Sequence, residues 1–237
     1  MWDKKYTADD HALREEDAYA NTKYDITIDW LRSYGVPTGA HIANVGAGGG
    51  VFGQRLLEAG FNAINVEPDP VAARMARDLL GQDSVVESDI FSFSPEVSLD
   101  VVIMHDVIEH IEDDRAAVSA VWRLLGEGSR PALFIASVPA WQWLFGFHDR
   151  ALGHYRRYSP RTFRALLASH FQVLRLRQFG ILGVPAAWYF SRFRGIEYPV
   201  GRGGSAERLF GLSCAMERRI CLPVGSSILV AGKPLRV

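Results

Sequence analysis

Cysteine is scarce in this chain of 237 residues, and neither charge sign dominates. Cys214 and Cys221 are too few and lie too late for a disulfide framework or a zinc site, so ordinary reduced thiols are expected. Lys and Arg number 26 against 27 Asp and Glu, a formal net charge of −1, which gives no global electrostatic reason to bind nucleic acid or an anionic membrane. No uncharged apolar run reaches the roughly 18 residues of a membrane span. The opening stretch, MWDKKYTADDHALREEDAY, is too polar for a signal peptide. A cytoplasmic protein is therefore expected, without a membrane span. Internal repeats and long low-complexity segments are also missing.

What is present suits one substantial core: 48% of residues are hydrophobic and 22% charged. A single domain over 1–237 is expected, with an N-terminal helical cap at 1–38, a core at 40–180, an insertion or lid at 181–225 and a last strand at 226–233. In the first 35 residues Leu13, Ala20, Tyr24, Ile28 and Leu31 recur at roughly helical spacing, which predicts a leading helix or two. Strands are expected at Ile42–Val45, Ala63–Val66, Ser84–Glu87, Leu99–Met104, Ala132–Val138, Gln172–Leu176 and Ser226–Ala231. Between them the pattern predicts helices at Phe52–Ala59, Val71–Leu80, Asp114–Leu125 and Pro160–His170. Strands alternating with helices at this spacing indicate a doubly wound, Rossmann-like α/β sheet, here of seven strands with the last antiparallel. Residues 180–225 read as an apolar helix pair or a lid, broken by GRGGS at 201–205.

The glycine-crowded turn after the first strand marks a nucleotide site, and two patterns compete for it. Gly48-Gly49-Gly50-Val51-Phe52-Gly53 satisfies the dinucleotide pattern GxGxxG, with Glu67 following. The apolar strand stops at Val45, however, so the turn starts at Gly46. Counted from there the pattern is GxGxG, without a third dinucleotide glycine in that register.

In the GxGxG register the sequence resembles the class I S-adenosylmethionine-dependent methyltransferases over roughly residues 40–180 and the last strand. The resemblance implies a Rossmann-like fold and S-adenosyl-L-methionine as cofactor. It implies that Gly46, Gly48 and Gly50 let the backbone approach the cofactor, that Glu67 accepts from both ribose hydroxyls, and that Asp89, beside Ile90, receives the adenine amino group. Asn44 stands where the family usually carries an acid, and is expected to orient the loop through its amide. The segment LDVVIMHDVIEHIED resembles the family's fourth-strand motif, which brings His105 to the cofactor and His110 toward the transferred methyl. Glu109-His110 serves equally well as a capping or loop-orienting pair, and Asp100 as a partner for nearby backbone amides.

The stretch HDRALGHYRRYS resembles a local pattern, HD-x-x-LGH-x-RRY-[S/T], of a subset of these enzymes associated with glycan or secondary metabolism. Physically it offers His148 and His154 as groups able to take a proton, with Asp149 to orient one of them. Arg156 and Arg157 supply planar donors suited to an anionic acceptor, one of the two being expected to pair with a structural acid. Trp141, Trp143, Phe145 and Phe147 alternate, which suits either half-buried strand residues or the wall of an acceptor pocket, and Arg156, Arg157 and Tyr158 serve equally well as acceptor contacts or as anchors of the loop to the sheet.

The leading expectation is therefore O-methylation of a small polar acceptor with His148 or His154 as base and no resident metal. A metal-assisted variant stands beside it, because Asp106-x-x-Glu109-His110 is similar in spacing to certain ubiquinone-pathway and small-RNA O-methyltransferases that use a divalent ion. The competing functions are a catalytically silent S-adenosylmethionine-binding protein and a nicotinamide-dependent oxidoreductase. The sequence is compatible with a homo-oligomer.

Overall fold

The structure, a computed structural model, describes residues 18–126, 132–196 and 205–235. It begins with α1 (Ala18–Ser33), and the part of the expected leading helix before residue 18 lies outside the described residues. The core then runs β1 (His41–Val45), α2 (Val51–Glu58), β2 (Asn62–Val66), α3 (Pro70–Leu80), β3 (Val85–Val86), β4 (Val101–His105), α4 (Asp114–Gly126) and β5 (Leu133–Pro139). It continues through α5 (Phe147–Ala151), α6 (Pro160–Leu167) and β6 (Phe171–Phe179), the short α7 (Gly183–Ala186), a π-helix over Ala187–Arg194, α8 (Ser205–Arg219) and β7 (Ser227–Pro234).

The seven strands form one sheet in the order β3-β2-β1-β4-β5-β7-β6. β1 pairs in parallel with β2 and β4, and β5 in parallel with β4; β7 is antiparallel to both β5 and β6. The order reverses between β1 and β4, so a crevice opens outside their carboxyl ends, where ligands of such sheets bind. The central strands are buried along nearly their whole length, which is why β4 and β5 read as uninterrupted apolar runs. One face packs Val102, Met104, Phe134, Ala136 and Phe163 together. The other packs Ile42, Ile103, Ile135, Leu56 and Trp30 of α1.

Local chemistry accounts for the element ends. The Asp69 side chain accepts from the Val71 N–H at the start of α3, where Pro70 takes the first helical position, and Ser159 with Thr162 forms a capping box ahead of Pro160 on α6. Asp100 accepts from the His41 N–H at 2.9 Å, tying the entries of β4 and β1 together. The expected third strand shrinks to two residues because β3 pairs only at Asn65–Val85 and Val66–Val86.

The segment between β6 and β7 is helical, as an apolar cover would be, but its glycine-rich stretch at 201–204 lies outside the described residues. Its root is fixed by one carboxylate. Glu217, 1% exposed on α8, accepts from the Gly180 N–H at 2.6 Å, the Ile181 N–H at 3.1 Å and the Ser213 hydroxyl at 3.0 Å. No helix among the described residues is long and apolar enough to cross a membrane.

Candidate active site

The glycine turn adopts a backbone that only glycine takes up easily: φ is +73° at Gly46, +55° at Gly48 and +93° at Gly50. At Gly46 an added Cβ would lie 2.3 Å from Val107 Cγ2, so the turn touches the segment that leaves β4. Glu67, 7% exposed at the end of β2, accepts from the Gly48 N–H at 2.7 Å through Oε2 and from the Asp69 N–H at 3.0 Å through Oε1. The carboxylate thus braces the turn, and each oxygen has a second lone pair for a hydroxyl.

Asn44 takes a different position from the one expected. Its side chain is 2% exposed and donates to Asn65 Oδ1 at 2.9 Å, and Asn65 in turn donates to the Ser84 carbonyl at 3.2 Å. Asn44 and Asn65 face each other in the β1–β2 register, so this amide pair links the strands beneath α2 rather than reaching the loop. Gly53 is what lets α2 lie against it. An added Cβ there would sit 2.2 Å from Asn65 Oδ1. The close-packing glycine that the GxGxG register lacked is therefore present at Gly53, and the turn has both the Gly46 start and a tight helix–sheet contact.

Asp89 accepts from the Phe91 and Ser92 N–H groups through Oδ1, at 2.8 and 2.9 Å, which holds the turn after β3 and leaves Oδ2 toward Ser92 Oγ at 3.4 Å. Ile90 beside it is 4% exposed.

At the end of β4, α1 enters the site. Lys23, 5% exposed, forms an ion pair with Asp106 Oδ2, and the Ser137 hydroxyl donates to Asp106 Oδ1 at 2.8 Å. Burial alone would raise the Asp106 carboxyl, but the charge and hydrogen bond of Lys23, with His105 and Ser137, hold it well below the usual carboxylate range. Asp106 has φ +54°, an outlier position that these partners stabilise. His105 lies within hydrogen-bond distance of Thr27 Oγ1 at 3.1 Å and Ser137 Oγ at 3.2 Å, and packs edge-on against Phe52. Burial and the neighbouring Lys23 bring its pKa down to about 3, so the ring is neutral near pH 7. Nothing in the local sequence around Lys23 and Thr27 flags them; a lone lysine in an amphipathic helix usually faces water.

The acceptor-side residues divide into anchors and a corner. Asp149, fully buried on α5, receives the Gly146 N–H at 2.9 Å, Arg157 Nε at 2.6 Å and His154 Nδ1 at 2.9 Å. Burial would raise this carboxyl too, but hydrogen bonds from His154 and Arg157 and the Arg157 charge bring it to about 2. Arg157 is 7% exposed and also donates to the Ala140 carbonyl at 3.3 Å. Arg156 donates to the Glu112 carbonyl at 2.6 Å and pairs with Asp114 at 2.9 Å, and the Tyr158 hydroxyl donates to that same Asp114 at 2.9 Å. Both arginines and Tyr158 therefore hold the loop against α4 and α5. Each of the three thus has an internal carboxylate partner, as the anchoring alternative requires.

The expectation for the tryptophans is corrected. Trp141 has φ +68° and donates its indole N–H to the Gly225 carbonyl at 3.0 Å, opening a 3₁₀ turn over Gln142–Leu144. Leu144 is the buried residue of that turn and Trp143 is 54% exposed, so the alternating wall does not form. The His148 N–H donates to Ser191 Oγ at 2.9 Å, which ties α5 to the π-helix.

His110 and His154 are brought together, with ring centroids 4.5 Å apart and nearly perpendicular planes. Glu109 lies beside them, fully buried in the 3₁₀ turn over Ile108–His110. Burial and the nearby Asp106 push its carboxyl well above the ordinary value.

A doubly wound sheet in this order, with a braced glycine turn after β1 and an acid ending β2, is a Rossmann-like fold with a nucleotide-type crevice at the β1–β4 switch. Residues 43–132 match the protein family described as "Methyltransferase domain". An "uncharacterized methyltransferase" of Mycolicibacterium vanbaalenii is 33% identical over 125 residues, 49% of this chain and 46% of that protein. A ubiquinone biosynthesis O-methyltransferase of Ralstonia nicotianae is 28% identical over 110 residues, 44% of this chain and 46% of that protein. The chain thus matches about half the length of these curated relatives. Among solved structures, the N-methyltransferase NodS of Bradyrhizobium japonicum WM9, in complex with S-adenosyl-L-homocysteine, superposes with a TM-score of 0.62 at 14% identity, covering 96% of this chain and 93% of NodS. The magnesium protoporphyrin IX methyltransferase of Synechocystis, with bound S-adenosylmethionine, gives 0.58 at 16% identity over 99% of this chain and 86% of that one.

Proposed function

We propose that the chain transfers the methyl group of S-adenosylmethionine to an oxygen of a small polar acceptor, in sugar, glycan or secondary metabolism and in a cytoplasmic setting. The observation that carries this reading is the His110–His154 corner, set beside the exit of β4 where the glycine turn touches Val107. Methyl transfer is an in-line displacement at a sulfonium carbon, so the protein has to align donor and acceptor and accept one proton. Asp149 occupies Nδ1 of His154, which leaves Nε2 to take the proton from the acceptor hydroxyl as the C–O bond forms and S-adenosylhomocysteine departs. The relationship of Asp149, His154 and Arg157 gives a physical reason for the spacing in HD-x-x-LGH-x-RRY: one carboxylate orients the base and is balanced by a guanidinium.

Glu67, Gly48 and Asp89 are the groups for the ribose and adenine. Asn44 gives its amide to Asn65, so its departure from the usual acid offers no support for a silent binding protein. The test is incubation of the purified chain with S-adenosylmethionine and a panel of hydroxylated sugars and phenols, read as S-adenosylhomocysteine formed. His154→Asn should lower kcat by about 10²–10⁴-fold with cofactor affinity retained, as expected for loss of a general base. Full activity of both His148→Ala and His154→Asn would remove the histidine from the reaction.

A further inference from the structure

The balanced charge of the whole chain conceals a one-sided surface. Two segments build it, residues 141–151 around α5 and residues 183–196 around the π-helix. A tight seam joins them. The His148 N–H donates to Ser191 Oγ at 2.9 Å, and a Cβ added at Gly146 would lie 2.6 Å from the Ser191 carbonyl carbon and oxygen. Outside the seam Trp143, Phe147, Trp188, Tyr189 and Phe193 are between 38% and 70% exposed. Phe193 stacks on Trp188 and on Tyr189, with ring centroids 5.9 and 6.3 Å apart, so the protruding rings hold one another in place. Arg150, Arg192 and Arg194 are exposed on the same two segments. The one acid in them, Asp149, is fully buried and already bound to Arg157 and His154. Both segments lie outside the residues, 43–132, that match the methyltransferase family.

Rings grouped in this way on a surface mark a place of interaction, and the charges beside them indicate with what. We propose that this surface docks the chain onto the headgroup layer of an anionic lipid bilayer. Trp and Tyr suit that layer because each joins an apolar body to a polar edge, while Phe193 has no polar group and suits the hydrocarbon boundary beneath it. The planar guanidinium groups match lipid phosphate, and neither segment offers an exposed acid to repel it. The contact is peripheral, since no helix among the described residues is long and apolar enough to cross a membrane.

The same composition argues against two other occupants. A second copy paired about a twofold axis would set these arginines against themselves, with no exposed acid in either segment to answer them. Five large rings for three cations, on a chain of net charge −1, supply little of the electrostatic attraction that dominates binding to nucleic acid. The inference goes beyond the methyl-transfer reading and does not rest on it. Helix α5 nevertheless joins the two, because it carries Phe147 and Arg150 outside and Asp149, the partner of His154, inside.

The test sediments the full chain with vesicles of phosphatidylcholine alone and of phosphatidylcholine mixed with phosphatidylglycerol. Binding should require phosphatidylglycerol and weaken as salt is raised. An arginine close to an anionic surface contributes about fivefold to partitioning, so Arg192→Gln combined with Arg194→Gln should lower it about 25-fold. Trp188→Ser combined with Phe193→Ser should lower it as well, and this effect should persist at salt concentrations where that of the arginines fades. All four side chains are exposed, so thermal melts by circular dichroism should match the parent. If the serine pair melts early, the arginine pair decides. Absence of vesicle binding, equal binding with and without phosphatidylglycerol, or folded variants that bind like the parent would overturn the proposal. Without vesicle binding, a dimer that folded Phe193→Ser disrupts would give the surface to a second copy. Retention of a single-stranded oligonucleotide that the arginine pair loses would give it to nucleic acid. Because the readout is the lipid, each of these results leaves the assay of S-adenosylhomocysteine formation independent.

Discussion

The contact between α2 and the asparagine pair beneath it lends itself to a sharp test, Gly53→Ala. In an ordinary helix interior this substitution gains about 1 kcal/mol, because alanine loses less backbone freedom on folding than glycine. Here the new Cβ would lie 2.2 Å from Asn65 Oδ1, 2.7 Å from its Cγ and 2.9 Å from its Nδ2, all closer than real Cβ contacts allow. Asn65 is completely buried, receives Asn44 and donates to the Ser84 carbonyl, so it cannot swing aside without breaking both bonds. Two buried polar groups left unsatisfied cost about 1–3 kcal/mol each. Subtracting the propensity gain leaves a net destabilisation of roughly 1–5 kcal/mol. For a chain of this size that lowers Tm by about 2–20 °C. Thermal melts followed by circular dichroism measure it, and the double variant with Asn65→Ala isolates the cause: in that background Gly53→Ala should cost little or nothing, since the clash is gone. A Gly53→Ala protein as stable as the parent, or an unchanged penalty in the Asn65→Ala background, would refute the reasoning. Helix α2 begins next to the glycine turn, so the single variant should also weaken S-adenosylhomocysteine binding.

Glu67→Ala removes the acceptor for the Gly48 and Asp69 N–H groups and for the proposed ribose contacts. A loss of about 1.5–3 kcal/mol, or 10–150-fold in Kd for S-adenosylhomocysteine by titration calorimetry, is expected, and an unchanged Kd would place the ribose elsewhere. Stability should fall in acid through His105, whose folded pKa is depressed to about 3 by burial and Lys23, with Asp106 opposing. The unfolded ring binds a proton below about 6.5. Between that value and 3 the unfolded state therefore holds the extra proton, and stability drops by up to about 1.4 kcal/mol per pH unit as pH falls. Urea melts at pH 7 and pH 5 should show a smaller difference for His105→Gln than for the parent. Tyr158→Phe breaks the bond to Asp114 and should cost about 1 kcal/mol of stability with KM for the acceptor unchanged; a raised KM would restore Tyr158 to the acceptor pocket.

The readable parts of this protein were those governed by local rules. The apolar run ending at Val45 and the glycines after it fixed the register of the turn, because burial on both faces and positive φ each leave a direct mark on residue choice. Glu67 followed for the same reason, as a polar residue ending an apolar strand. Long-range pairing left no such mark. Arg156 and Arg157 are adjacent, which suggested one structural and one functional guanidinium, yet each finds its own carboxylate, Asp114 and Asp149. The alternating aromatics at Trp141, Trp143, Phe145 and Phe147 looked like a pocket wall because period two is the signature of a strand, but the positive φ at Trp141 turns the chain into a 3₁₀ turn. Asn44 looked like an altered cofactor contact because its partner, Asn65, is 21 residues away on the next strand. Lys23 is the clearest omission: a helix far upstream supplies the charge that holds Asp106, and only the packing of α1 over β4 reveals it.

The carboxylate of Glu217 has a consequence for how such a protein diversifies. It gathers Gly180 and Ile181 at the root of the segment between β6 and β7, while the Ser226 N–H donates to the Gly180 carbonyl at 3.2 Å on the returning chain. The insertion therefore leaves and re-enters the sheet through one clasped junction. Its outer part carries Phe193, 70% exposed, and Leu212, 69% exposed, whose contribution to the sheet's core is small. Sequence change out there is decoupled from the sheet's core, so a lineage can exchange these outer helices without re-evolving the fold. The same junction is the natural place to graft the segment of a relative, with Glu217 and Gly180 kept as the seam.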